Sequence, residues 1–263
     1  MDRVLPFMVL SAAAVMAVTS PAIAQPTGST DSAAVRNVVL VHGAFADGSG
    51  WRRVHQNLTA RGYRVTIVQN PLTSLADDVA ATRRVLDRQD GPVILVGHSW
   101  GGTVITEAGV HAKVRGLVYV SALSPDAGET TAQQYEGYMT PPEFVIEAGQ
   151  DGFGFIKGDS FFAGFAADAS REDADFLNAA QVPINMASFS VRLENAAWRM
   201  KPSWAVIATQ DKAFDQRMLH DMAKRIGAKV TTVAASHAVY FTQPGLVSDV
   251  IDEAARQSAT IAR

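Results

Sequence analysis

The stretch Val93-Ile94-Leu95-Val96-Gly97-His98-Ser99-Trp100-Gly101-Gly102 decides how this chain folds. Asp90-Gly91-Pro92 reads as a turn, and the continuous apolar run after it predicts a strand buried on both faces. Gly97 to Gly101 fits G-x-S-x-G, and a helix is predicted from there to about His111. A serine on a tight turn between strand and helix is held in strained backbone with its hydroxyl exposed. Glycines two residues before and two after it keep the strand and the helix from clashing. The helix N-terminus also turns peptide N–H groups toward developing negative charge. A dinucleotide-binding glycine turn is the structural alternative, but the spacing G-x-G-x-x-G is missing.

Outward from this turn, strands and helices alternate. Val38–Val41, Val65–Val68, Leu117–Val120, Trp204–Ala208 and Val230–Val233 read as strands. Trp51–Arg61, stopped by Gly62, reads as a helix, as do Gln216–Ile226 and Pro244–Arg256. Ser74 with Asp77 resembles a capping box for a further helix ending near Arg88. Such alternation predicts an α/β protein with a mostly parallel central sheet and helices on both faces. From about residue 124 to 201 the rhythm fails, with Pro125, Pro141-Pro142 and a Gly/Phe cluster. Arg171–Ala180 and Met186–Trp198 look helical there. A strandless stretch of this length is too long for a loop, so it reads as a small helical lid inserted in the domain, which spans 36–263.

The N-terminus reads as a targeting segment. Arg3 precedes an apolar stretch from Val4 to Val18, followed by Ala22-Ile23-Ala24 before Gln25. This is the layout of a signal peptide over residues 1–24, with a flexible polar leader over 25–35. The apolar run is roughly 15 residues, short of the roughly 20 that span a bilayer; an uncleaved anchor is the alternative. Export to the periplasm or the medium is therefore expected, with no stable membrane anchor after cleavage. The whole chain has 263 residues, a net charge of −3 and no cysteine. Thiolate nucleophiles, disulfides and cysteine-ligated metals are thereby excluded. No basic stripe points to nucleic acid, and no metal or cofactor is expected.

A serine hydroxyl needs a base. Of the six histidines, His237 in Ala235-Ser236-His237 follows the last strand and precedes the last helix, where a sheet edge delivers loop residues. His55, His111 and His220 fall on predicted helices; His42 is expected to shape a loop, and the side chain of His98 to point away from the chemistry. The base in turn needs an acid to hold its tautomer. Asp211, directly after Trp204–Ala208, lies where the order Ser…Asp…His requires it. Asp215 is the rival, with a helix cap as its other role, and Asp126 is a third candidate. The oxyanion donors are expected to be the peptide N–H groups of Trp100 and Ala44, with Phe45 second to Ala44.

Val41-His42-Gly43-Ala44-Phe45 with Trp51, Gly97-His98-Ser99-Trp100-Gly101-Gly102, Ala208-Thr209-Gln210-Asp211 and Ser236-His237-Ala238-Val239 together resemble the α/β-hydrolase superfamily. Within it they look most like the branch of plant methylesterases, hydroxynitrile lyases and bacterial esterase relatives. The resemblance runs over roughly Val38 to Ala255. It implies the α/β-hydrolase fold, a catalytic triad of Ser99, Asp211 and His237, and an oxyanion hole of Ala44 and Trp100. In the lyase members a lysine follows the triad histidine, and here that position is Ala238, which favours hydrolysis. The expected activity is that of a serine esterase or lactonase on small to medium apolar esters, with a small-molecule ester or lactone as its partner. A cofactor-free lyase or perhydrolase on the same triad is one alternative; a non-catalytic binding protein is another. Phe45, Phe161, Phe162, Phe165 and Met186 are candidate substrate-lining residues, with filling of the lid–core interface as their alternative role.

Overall fold

The computed structural model describes residues 35–261; the expected signal peptide and all but the end of the leader lie outside them. Strand β1 (Asn37–Val41) opens the fold, followed by α1 (Arg52–Ala60), β2 (Arg64–Val68) and α2 (Leu75–Asp87). Then come β3 (Val93–Ser99), α3 (Trp100–Ala108) and β4 (Val114–Ala122). After a long insertion the alternation resumes with β8 (Ser203–Ala208), α6 (Gln216–Arg225), β9 (Lys229–Val233), the short α7 (Val239–Thr242) and α8 (Pro244–Ile261). The insertion supplies β5 (Ile146–Ala148), β6 (Phe153–Ile156), α4 (Gly158–Phe165), α5 (Arg171–Ala179) and β7 (Ile184–Asn185).

The main sheet runs β2-β1-β3-β4-β8-β9, with every pairing parallel. Burial follows position in that order. Every residue of β1 and β3 is buried, as their unbroken apolar runs require, whereas edge strand β9 leaves Lys229 and Val230 exposed. Helix α1 packs on α8, and α2 on α3. The start of α2 follows from its sequence: Ser74 Oγ accepts the Asp77 N–H at 3.0 Å and donates to the Asp77 carboxylate at 2.7 Å.

The insertion differs from its sequence reading. The stretch expected to lack strands holds a three-stranded antiparallel sheet, β5-β6-β7. Its strands are only two to four residues long, too short for alternation to register as a pattern. Gly154, which reads as a breaker, sits inside β6, where a Cβ would come within 2.7 Å of Met186 Sδ. Met186–Trp198 is likewise not one helix. It holds one 3-10 turn, Met186–Ser190, and the start of a second, Ala197–Arg199, joined by irregular chain in which Arg192 bridges Thr130.

Candidate active site

Ser99 ends β3 and stands immediately before α3, with φ +52° and ψ −121°. This is strained backbone for a residue with a side chain, and the packing around it explains why it persists. A Cβ on Gly97 would lie 2.4 Å from the Gly101 carbonyl oxygen, and one on Gly101 would lie 2.6 Å from that of Val41. Only glycine at both places lets β3, α3 and the end of β1 approach so closely. The loop after β1 crosses the serine itself, since a Cβ on Gly43 would lie 2.8 Å from Ser99 Cβ.

That loop carries the expected oxyanion donors. His42 fixes its shape: Nδ1 donates to the Gly43 carbonyl at 2.9 Å, while Nε2 accepts the Asn70 N–H at 2.9 Å. Asn70 Nδ2 returns a bond to the His42 carbonyl at 2.9 Å. The acceptor role of Nε2 requires a neutral ring protonated at Nδ1, and burial lowers the His42 pKa in agreement. Ala44 is buried next in the chain, and Phe45 follows with φ +59°. Trp100, the other expected donor, is the first residue of α3, where peptide N–H groups have no partner within the helix.

Asp211 and His237 come from the loops after β8 and β9. These strands are neighbours, and their pairing continues past their ends through Thr209 N–H to Val233 O at 2.8 Å and Gln210 N–H to Ala235 O at 3.0 Å. His237 Nδ1 donates to Asp211 Oδ2 at 2.7 Å, with both side chains at most 1% exposed. Asp211 Oδ1 accepts the N–H groups of Ala213 and Phe214 at 2.7 and 3.1 Å. The carboxylate is thus locked on one side while the other holds the imidazole. With the proton at Nδ1, the lone pair of Nε2 is left to act as a base.

The ring of His98, next to Ser99 in the chain, lies 4.6 Å from that of His237, centre to centre, and its Nε2 donates to the His237 carbonyl at 2.9 Å. The serine turn and the histidine loop therefore meet at one rim of the sheet. This placement corrects the expectation that His98 points away. Burial first, and the neighbouring His237 second, hold the His98 pKa well below its usual value, so it donates as a neutral ring. The histidine loop is also tied to the insertion. Ser236 Oγ donates to the Asp168 carboxylate, and the Ala238 N–H donates to the Phe165 carbonyl at 2.9 Å. The rings of Phe214 and Phe165 stand edge-on to His237 at 4.9 and 5.1 Å, with Phe144 at 6.1 Å.

The five expected lining residues separate into two groups. Phe165 reaches His237 and stacks on Phe161 at 4.9 Å, while Phe45 meets Phe144 at 6.1 Å. Phe162 instead lies under the Arg171 guanidinium at 4.4 Å, and Met186 covers Gly154. The reason for Phe162 is helical phase, because Phe161 and Phe165 are one turn apart on α4 and Phe162 is rotated off their face. The rival carboxylates are engaged elsewhere. Asp215 caps α6 by accepting the Arg217 N–H at 2.8 Å, and Asp126 pairs with Arg199 Nε at 2.7 Å. Sequence reasoning missed Phe144, Phe214, Asp168 and the bonding role of His98. Only His98 lay within a motif; the others arrive through contacts between elements distant in the chain.

Residues 38–250 match the alpha/beta hydrolase family. A pyrethroid hydrolase of Sphingobium wenxiniae is 34% identical over 125 residues, covering 43% of this chain and 41% of that protein. A carbendazim hydrolyzing esterase of Nocardioides sp. is 34% identical over 176 residues, covering 62% of this chain and 65% of that protein. The match therefore spans less than two thirds of either curated relative. The crystal structure of a pyrethroid hydrolase from Sphingobium faniae superposes with a TM-score of 0.73 at 23% identity, covering 84% of this chain and 97% of that one. The matched span, the sheet order and the serine turn lead to one conclusion: this chain belongs to the alpha/beta hydrolase family.

Proposed function

We propose that the protein is a serine hydrolase, a carboxylesterase or lactonase, that cleaves small to medium apolar esters through an acyl-enzyme. The observation that carries this reading is the buried Asp211–His237 hydrogen bond, docked through His98 onto the turn that presents Ser99. His237 Nε2 takes the Ser99 proton as Oγ attacks the ester carbonyl. The N–H groups of Ala44 and Trp100 stabilise the oxyanion, each such donor being worth about 3 kcal/mol. His237 then protonates the leaving alcohol, and water, activated by the same imidazole, releases the acid. The names of the two curated relatives support an ester-cleaving role, and the phenyl rings around His237 suit an apolar substrate. Ala238 argues against a lyase. It is fully buried and offers no ammonium to a cyanide leaving group.

A fluorophosphonate probe and a panel of p-nitrophenyl esters and lactones test the proposal. The probe is expected to label Ser99, and Ser99→Ala is expected to abolish both labelling and turnover without lowering the melting temperature. Turnover that survives this substitution would place the chemistry elsewhere. The N-terminal sequence further supports export, with cleavage after Ala24; mass spectrometry of a periplasmic or medium fraction is expected to find a chain starting at Gln25.

A further inference from the structure

Asp78 is a carboxylate with no exposed surface and no part in the steps above. Burying such a group is costly unless its oxygens are satisfied. It sits near the start of α2, and each oxygen has one donor: Oδ1 accepts the Leu72 N–H at 2.8 Å, and Oδ2 accepts the Trp100 indole Nε1–H at 2.8 Å. Both partners are themselves constrained. Leu72 has φ +57°, and its carbonyl accepts the N–H of Asn185 from the insertion at 2.9 Å. Trp100 is fully buried, and Phe189 of the insertion packs on its indole at 5.0 Å. A buried aromatic side chain held through its indole N–H and packed on its ring leaves its own peptide little freedom.

We infer that Asp78 is a positioning residue for the oxyanion hole: by gripping the Trp100 indole it fixes the peptide N–H that follows the nucleophile. Asp78 touches no reacting atom and acts through Trp100. The two-donor geometry demands a carboxylate. Asparagine offers one acceptor oxygen, and its amide would direct hydrogens at either the Leu72 N–H or the indole N–H. An oxyanion donor acts more strongly in the transition state than in the ground state, so its displacement lowers kcat and leaves KM nearly unchanged.

This inference rests on the proposed esterase reading, and the experiment separates the two. Wild-type protein that neither labels at Ser99 nor turns over any ester or lactone defeats the esterase reading and, with it, the inference. Given an active wild type, Asp78→Asn and Trp100→Phe are each expected to lower kcat by about 10- to 100-fold, the order expected for a displaced rather than deleted donor. KM is expected to stay within about twofold, and the double variant to be no worse than the poorer single one. The indole N–H resonance of Trp100 is expected to move in Asp78→Asn. Trp100→Phe keeps the peptide N–H and an aromatic ring beside Phe189 while removing the indole N–H, so it carries the test if Asp78→Asn fails to fold. A folded Trp100→Phe with wild-type kcat overturns the inference, as do variants that lower only the melting temperature or losses that simply multiply.

Discussion

Replacing Asp211 by asparagine tests the chemistry with little change in shape. The wild-type carboxylate accepts three hydrogen bonds, two from the Ala213 and Phe214 N–H groups at Oδ1 and one from His237 Nδ1 at Oδ2. Asparagine satisfies the two peptide donors only by placing its oxygen there. Its amide then faces the imidazole, and Nδ1 must accept. The proton moves to Nε2, which can no longer receive the serine proton. In serine proteases the corresponding tautomer error lowers kcat by about 10⁴-fold, which is about 5 kcal/mol in the barrier. A loss of that order is expected here, because the backbone bonds that force the amide orientation are present and buried. The assay is kcat on a p-nitrophenyl ester, with Ser99→Ala as the floor and a thermal melt to confirm folding. Asp215→Asn is the control. Its carboxylate caps α6 and accepts the Met139 N–H at 3.2 Å, with no bond to His237, so activity within about twofold of wild type and at most about 1 kcal/mol of lost stability are expected. A folded Asp211→Asn enzyme within tenfold of wild type would refute the assignment, and a collapse in Asp215→Asn would redirect it.

Three further outcomes are expected. Gly101→Ala places a methyl 2.6 Å from the Val41 carbonyl oxygen and 2.9 Å from that of His42; both are backbone, so urea unfolding should show a loss of about 1–3 kcal/mol or more, with activity falling as the loop that carries the proposed oxyanion donor Ala44 is displaced. Burial raises the Asp78 pKa from 3.8 to about 6, so between these values the folded state holds a proton that the unfolded state has released. Stability contributed by this group therefore falls as pH rises from 4 to 6, by up to about 3 kcal/mol, and urea titrations of wild type and Asp78→Asn at both pH values should differ by that trend. Ser236→Ala and Asp168→Ala each remove the same tie between the histidine loop and the insertion; both should reduce kcat about two- to tenfold, and the double variant should match the singles.

The two levels of description diverge most in the insertion. Long, strongly periodic segments such as α2 and α6 lie within a residue or two of their sequence reading, because one helix face or one buried strand is a local property of the chain. The strands β5 to β7 were invisible because their stability comes from pairing, not from their own residues. The same holds within the site. Phe161 and Phe162 are adjacent and chemically identical, yet only the phase of α4 decides that one stacks on Phe165 and the other under Arg171. His98 looked idle because its partner, the His237 carbonyl, is 139 residues away.

The amino-acid order alone specified the alternating α/β plan, the glycines flanking Ser99 and the candidacy of Asp211 and His237, since each follows from short-range pattern and steric need. It could not specify which groups meet across the sheet. The Asp211–His237 bond depends on β8 lying beside β9, and the Asp78–Trp100 bond on α2 lying beside α3. Such contacts arise only when packing brings distant segments together, because a hydrogen bond depends on the separation of its atoms in space and not along the chain.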